Sequence, residues 1–183
     1  LWCVSKREGY YILSVGFLGT IANQVLKITC RIPRPWVRDP GFTIWEGARE
    51  AASGYSFPSG HTQNAVGTYG GLGLWNRKRR GAVWIAIALI VTVAFSRMLL
   101  GVHTPADVLT SLGIGAALVF GLYPLFKKER SGRFLVGFIS GMLLIALAFV
   151  LFMELAPHSG ADAENLASAR KNAWTLLGAV SGV

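Results

Sequence analysis

Residues 96–107 read SRMLLGVHTPAD, and this short polar stretch separates two apolar runs of the chain. The run before it, residues 81–96, carries no charge, and the run after it, residues 105–126, carries only Asp107. A transmembrane helix needs about 20 mostly apolar residues, with a range of about 17–25. The pattern therefore predicts two transmembrane helices that are joined at the membrane surface by the quoted stretch.

Three further apolar runs extend this pattern along the chain. Residues 9–26 and 134–153 are uncharged, and residues 59–76 are uncharged apart from the titratable His61. A final apolar run, residues 172–183, is too short to span and is interpreted as a span cut off by the chain end. The five candidate spans predict an all-α fold, a multi-span transmembrane helical bundle.

The composition also favours a membrane protein. Charged residues make up 15% of the 183-residue chain, whereas soluble domains average roughly 25%. The net charge of +9 does not indicate a nucleic-acid partner, because the basic residues cluster between the apolar runs. The two cysteines form no disulfide framework, and neither CxxC nor HExxH occurs. We therefore expect no metal and no other cofactor.

Short basic clusters alternate with the apolar runs. They are Lys6-Arg7, residues 77–80 and residues 127–133. If each run spans once, all three clusters fall on one side, which the positive-inside rule makes cytoplasmic. The segments that then face outward are residues 27–58, 97–104 and 154–171. We expect a multi-pass plasma-membrane protein whose functional residues face the extracytoplasmic side.

Two of these outward segments differ in character. Residues 27–58 contain several prolines and eight charged residues, so this segment cannot span. It is either an irregular loop or a short interfacial helix with one apolar side, and the sequence leaves both open. That side would be formed by Phe42, Trp45 and Ala52. Residues 154–171 are polar and are interpreted as a connector.

His103 stands just before an apolar helix that Thr104 and Pro105 are suited to start. Threonine is favoured at the N-cap, and proline at the first helical position. Asp107 falls three residues after the cap, where its carboxylate can bond to the cap backbone in a variant of the capping box. The same carboxylate can hold one ring nitrogen of His103 and leave the other free to attack. A purely structural capping role for Asp107 is the alternative.

Residues 58–61 read PSGH and open another apolar run. Ser59 suits the N-cap, and backbone N–H groups at a helix start bind anions because they lack intrahelical partners. Gly60 permits the close approach of a phosphate, and His61 can donate a proton to a leaving oxygen. The alternative is an ordinary capped helix with a histidine at the membrane interface.

Three cations, Lys27, Arg34 and Arg97, lie at the outward ends of the apolar runs. Ionisable groups near a membrane are costly unless they pair or function. If the three converge, they can hold a phosphoryl group and neutralise its charge in the transition state. The alternative is snorkelling, in which long basic side chains at helix ends reach for the headgroups.

Together, the residues around His103, the PSGH stretch and the three cations resemble the signature of the type 2 phosphatidic acid phosphatase (PAP2) family. The matching positions are, in order, Lys27-x6-Arg34-Pro35, Pro58-Ser59-Gly60-His61 and Ser96-Arg97-x5-His103-x3-Asp107. The resemblance covers roughly residues 9–123. It implies a membrane helical bundle of the type that is shared with vanadium haloperoxidases.

The resemblance also suggests how the chain is organised. We interpret residues 1–183 as a single PAP2-like membrane domain, and as a fragment, because the family usually has further helices before its first motif. Residues 9–126 form the expected catalytic core. Residues 134–183 form one or more additional C-terminal helices.

The resemblance implies a role for each matching residue. His103 attacks phosphorus and forms a phosphohistidine, Asp107 orients it, and His61 protonates the leaving group and then activates water. Phosphate oxygens are bound by Lys27, Arg34, Ser59, Gly60 and Arg97. No metal is implied. Activity is expected to fall at low pH, because protonated His103 is no longer nucleophilic.

We therefore expect a membrane phosphatase whose partner is a lipid phosphate or diphosphate. Undecaprenyl diphosphate, phosphatidate and phosphatidylglycerophosphate are the candidate substrates, and the oligomeric state stays open. The alternatives are a non-catalytic lipid-phosphate binder or transporter, a phosphatase of a soluble phosphoester, and a vanadium-dependent peroxidase. The peroxidase is disfavoured by the multiple spans.

Overall fold

The computed structural model describes residues 5–49, 52 and 54–182, and all regular structure within them is helical. The α-helices are, in chain order, α1 (Lys6–Cys30), α2 (Pro35–Arg38), α3 (Gly60–Ala65), α4 (Gly71–Trp75), α5 (Arg80–Leu99), α6 (Pro105–Lys127), α7 (Gly132–Leu155) and α8 (Ala163–Ser181). A 3₁₀ turn at Glu46–Ala48 and a π-helical turn at Val66–Gly70 are also present. The prediction of an all-α bundle is confirmed.

Four helices in the described part of the chain are long and apolar enough to cross a membrane. They are α1, α5, α6 and α7, which coincide with four of the five predicted spans. Local sequence sets where the first of them begins and ends. The Ser5 hydroxyl accepts the Glu8 N–H at 3.3 Å at the start of α1. Arg31 ends that helix in a left-handed conformation, with φ of 51°.

The second predicted span, residues 59–76, is helical without a break from Gly60 to Trp75, because α3, the π-helical turn and α4 follow one another directly. This continuous helix is slightly shorter than a typical span of about 17–25 residues. Glycines bring the neighbouring helices close to it. A Cβ at Gly115 would lie 2.7 Å from the Val66 Cβ, and a Cβ at Gly73 would lie 2.9 Å from the Ala86 Cβ. The helix therefore packs tightly between α5 and α6.

The interpretation of residues 154–171 as a connector holds only for their middle part. Helix α7 continues to Leu155, and α8 begins directly after its N-cap, Asp162, so residues 156–162 form the connector. The polar residues that suggested a connector are exposed or half-buried on α8. On its other side Ala169 and Ala173 are buried against α1 and α7. The final apolar run is the second half of α8 rather than a separate span.

Among its described residues, the segment between α1 and α3 is irregular apart from α2 and the 3₁₀ turn at Glu46–Ala48, so those residues do not form the interfacial helix. Trp45 is 65% exposed, and Phe42 is exposed as well. The segment lies against the connector between α5 and α6, where the Trp45 N–H donates to the Leu100 carbonyl at 3.3 Å. Gly101 has a φ of 72°, and a Cβ there would lie 2.6 Å from the Thr43 carbonyl oxygen. Only glycine fits this close approach.

The predicted site residues and the basic clusters lie at opposite ends of the bundle. The carboxyl ends of α1 and α5 and the amino ends of α3 and α6 meet at one end, which we call the site end. The basic clusters lie at the opposite end, which we call the basic end. There the Asn76 amide donates to the Glu8 carboxylate at 3.2 Å, and Arg7 lies 4.0 Å from Glu129.

Candidate active site

A cavity of about 190 Å³ opens at the site end. Six of the residues predicted to act on phosphate line it, namely Lys27, Arg34, Gly60, His61, Arg97 and His103. The structure thus brings two imidazoles and three cations from separate stretches of chain to one hollow. Asp107 and Ser59 lie behind this lining rather than in it.

The hydrogen bonds of His103 define its tautomer. Its Nδ1 lies 3.3 Å from Asp107 Oδ2, and its Nε2 lies 3.1 Å from Arg34 Nη1. A guanidinium group can only donate, so Nε2 must accept and the ring hydrogen must sit on Nδ1. The lone pair of the neutral ring is therefore on Nε2, on the side of His103 that faces Arg34.

Burial keeps this ring neutral. His103 is 5% exposed, and desolvation lowers its pKa to about 4. The positive charges of Arg34 and Lys27 act in the same direction, whereas the hydrogen bond to Asp107 opposes it. At neutral pH the Nε2 lone pair is thus available for attack.

Asp107 serves as a cap and as an orienting group at once. Its Oδ2 accepts the Thr104 N–H at 2.8 Å, and its own N–H donates to Thr104 Oγ1 at 3.3 Å, which forms a capping box. The same Oδ2 faces His103 Nδ1 and accepts the Ser56 hydroxyl at 2.6 Å. The two interpretations of Asp107 are compatible, because one oxygen makes both sets of contacts.

Lys27 and Arg34 are buried rather than extended toward headgroups. Each is 7% exposed. The Lys27 ammonium donates to the Tyr55 carbonyl, and Arg34 donates to the carbonyls of Gly54 at 3.0 Å and Val102 at 2.9 Å. The carbonyl oxygens accept these bonds, which fix the two side chains beside the cavity.

Arg97 is the third cation of the cavity. It lies in the last turn of α5, and its carbonyl accepts the N–H groups of Val102 at 3.2 Å and His103 at 3.3 Å. These backbone bonds tie the end of α5 to the connector that leads into α6. Among the described residues at the cavity, three cations outweigh one carboxylate, that of Asp107, so the cavity is suited to an anion.

The PSGH stretch begins α3 as expected, but its members lie in different places. Gly60 and the exposed His61 line the cavity. The fully buried Ser59 hydroxyl instead accepts the Thr62 N–H at 3.4 Å and lies 3.0 Å from Thr62 Oγ1. Ser59 therefore acts as the N-cap of α3, and its side chain does not face the cavity.

Sequence reasoning missed several residues at the site. Asn23, Gln24 and Asn64 line the cavity, and the Ser56 hydroxyl holds Asp107 from behind. Helical spacing could have indicated Asn23 and Asn64. The first precedes Lys27 by four residues on α1, and the second follows His61 by three on α3. Ser56 makes a contact with a residue far along the chain, and no local pattern signals it.

Comparison with known proteins places these features in a family. The profile of the PAP2 superfamily matches residues 8–131. That range includes every residue lining the cavity, whereas α7 and α8 lie beyond it.

One curated relative is undecaprenyl-diphosphatase BcrC of Bacillus subtilis (strain 168), to which the chain is 30% identical over 116 residues. The aligned part is 63% of this chain and 56% of that protein, so the chain spans about half the length of the relative. No solved structure gives a significant match.

Proposed function

This chain belongs to the PAP2 superfamily, and we propose that it is a membrane phosphatase acting on a lipid phosphate or diphosphate. The observation that carries the proposal is the shared cavity of His61 and His103 with three cations around it. A site for binding alone would not need His103 to be neutral, buried and oriented by a carboxylate.

In the proposed first step, His103 Nε2 attacks the terminal phosphorus of the substrate. The Nε2–P bond forms as the bond from phosphorus to the leaving oxygen breaks, and His61 gives its proton to that oxygen. Asp107 keeps the hydrogen on Nδ1 and stabilises the positive charge that the ring acquires. Arg34 Nη1, now 3.1 Å from Nε2, would pass to a phosphate oxygen.

In the proposed second step, water hydrolyses the phosphohistidine. His61, neutral after the first step, takes a proton from the water while its oxygen attacks phosphorus. The Nε2–P bond breaks, the electron pair returns to His103, and inorganic phosphate leaves. Both histidines then regain their starting protonation states.

We propose that the charge on the phosphoryl oxygens is neutralised by side chains and not by a metal. Lys27, Arg34 and Arg97 supply positive charge, and the Gly60 N–H at the start of α3 adds a donor. The hydrogen bonds that fix Lys27 and Arg34 beforehand reduce the reorganisation needed during the reaction.

The proposed substrate is an isoprenyl diphosphate, with phosphatidate and phosphatidylglycerophosphate as the other candidates. Support comes from the name of the Bacillus relative and from the position of the cavity at one end of four apolar helices. The basic clusters lie at the other end. By the positive-inside rule the site would face the extracytoplasmic side of a plasma membrane.

The test is phosphate release by purified full-length protein in lipid nanodiscs, with and without a metal chelator. The panel contains undecaprenyl diphosphate, phosphatidate, phosphatidylglycerophosphate and p-nitrophenyl phosphate as a soluble ester. We expect the highest kcat/KM for the isoprenyl diphosphate and no loss with chelator. Preference for the soluble ester, or binding of lipid without turnover, would overturn the proposal in favour of a soluble-substrate phosphatase or a binder.

A further inference from the structure

Three consecutive residues just before the PSGH stretch each hold a different side chain of the proposed site. The Gly54 carbonyl accepts from Arg34 Nε at 3.0 Å, and the Tyr55 carbonyl accepts from the Lys27 ammonium. The Ser56 hydroxyl donates to Asp107 Oδ2 at 2.6 Å. We call residues 54–56 the strut, because they connect side chains from three separate parts of the chain.

The strut is itself fixed from two sides. The Ser56 N–H donates to the Ile32 carbonyl at 2.8 Å, and Ser56 is fully buried. The Tyr55 hydroxyl accepts the Asp162 N–H at 3.0 Å, at the point where α8 begins. The Tyr55 ring packs in the apolar cluster formed by α1, α7 and α8.

A second contact joins the same two regions. Arg31 Nη1 donates to the Ser159 carbonyl at 2.5 Å, so the connector between α7 and α8 also touches the end of α1. Helices α7 and α8 lie beyond the stretch that matches the family profile. A part of the chain outside the matched domain thus supports the loop that holds the cations and Asp107.

We infer that the strut is a positioning element of the active site, in which Ser56 orients Asp107 and Tyr55 transmits support from the α7–α8 hairpin. This inference rests on the proposed phosphatase function. Asp107 Oδ2 receives three donors, and the removal of one of them frees the carboxylate to turn away from His103 Nδ1. The removal of the Tyr55 hydroxyl leaves the Asp162 N–H without its acceptor and loosens the strut.

The first test is the variant Ser56→Ala, assayed for phosphate release with the best lipid substrate. We expect kcat to fall roughly 10-fold to 100-fold, the effect of losing one hydrogen bond to a charged group, while KM stays nearly constant. Ser14→Ala is the matched control, because Ser14 is also a buried serine, and its hydroxyl bonds to the Tyr10 carbonyl far from the site.

A double-variant experiment separates positioning from general destabilisation. If Ser56 acts through Asp107, Ser56→Ala should cost little in an Asp107→Asn background. Equal losses in both backgrounds, or an unchanged kcat in the single variant, would overturn the role of Ser56.

The second test compares Tyr55→Phe with Tyr11→Phe. Both tyrosines are buried and hydrogen-bonded, but the Tyr11 hydroxyl donates to Val119 at 2.7 Å in the other half of the bundle. We expect Tyr55→Phe to raise the Kd of inorganic phosphate roughly 3-fold to 10-fold, because Lys27 and Arg34 lose their fixed positions. Tyr11→Phe should leave phosphate binding unchanged.

Phosphate binding, measured by calorimetry on the full chain, separates this inference from the proposed function. A wild-type chain that binds phosphate but turns over no substrate defeats the phosphatase proposal. The phosphate Kd values of wild type and Tyr55→Phe then still test whether the strut positions Lys27 and Arg34. Equal Kd values for wild type and Tyr55→Phe would overturn the link to α8. A wild-type chain that binds no phosphate would contradict both proposals.

Discussion

The site end and the basic end both carry lysine and arginine at helix termini, but in different surroundings. Lys27 and Arg34 are buried, and their hydrogen bonds fix them beside a cavity. Arg77 and Lys127 are exposed and lie near aromatic rings, with Lys127 Nζ 5.0 Å from the centre of the Trp75 ring. The role of a cation at a helix end therefore follows from its burial and its neighbours, not from its place in the sequence.

The largest effect should come from the nucleophile. His103→Ala should lower kcat at least about 1,000-fold, because it removes the ring nitrogen that supplies the attacking lone pair. His158→Ala is the control, since His158 lies on the connector between α7 and α8, outside the cavity. Steady-state phosphate release measures both. Full turnover by His103→Ala would contradict the assignment of the nucleophile.

A matched pair of lysine variants tests the comparison of the two ends directly. Lys27→Met should lower kcat/KM about 100-fold to 1,000-fold, as expected for the loss of a fixed charge at the developing oxyanion. Lys127→Met should change it less than about 2-fold, because an exposed cation contributes little. Similar losses in the two variants would break the distinction between the ends.

The pH dependence tests whether burial controls His103. The reactive ring is neutral, so the acid limb of the pH profile should lie at the His103 pKa of about 4, with activity lost as the pH falls through that value. This limb lies well below the pKa of about 6.5 for free imidazole. Lys27→Met should move the limb upward, since the positive charge of Lys27 contributes to the lowering.

Lys127→Met is the control for the pH profile and should leave the limb in place. The kcat/KM profile of each variant gives the answer, with a thermal melt at each pH to show that the protein is folded. A wild-type acid limb near pH 6.5 would mean that His103 is not buried as described.

The smallest effect is expected at Gly101, in the connector between α5 and α6 at the site end. Gly101→Ala should destabilise the protein by about 1–2 kcal/mol, because the left-handed conformation and the close approach to Thr43 both disfavour a Cβ. Gly113→Ala is the control, since a Cβ there meets no neighbouring atom. Thermal unfolding in detergent measures the difference. Equal stabilities would show that the loop adapts to the added methyl group.

Features encoded by neighbouring residues could be predicted from the sequence. The capping of α6 by Thr104 and Asp107, and the start of α3 after Ser59, depend on residues three apart, and both formed as expected. The meeting of His61 and His103 also followed, because the order of spans places both at the same end of the bundle.

Features that depend on distant contacts could not be predicted. The hydrogen bond from Ser56 to Asp107 joins residues that no local pattern relates. The first half of α8 resembles a connector in the sequence, because its charged residues hide the buried Ala169. Both features depend on how helices far apart in the chain pack together, and the local pattern of a single sequence does not specify that packing.

Trapping of the covalent intermediate shows whether His103 is the nucleophile. Purified protein is mixed with substrate labelled at its terminal phosphorus, quenched within milliseconds in alkali, and mapped by peptide sequencing. We expect label on His103 in the wild type, base-stable and acid-labile, and none in His103→Ala. Label on another residue, or turnover with no labelled protein at any time, would contradict it.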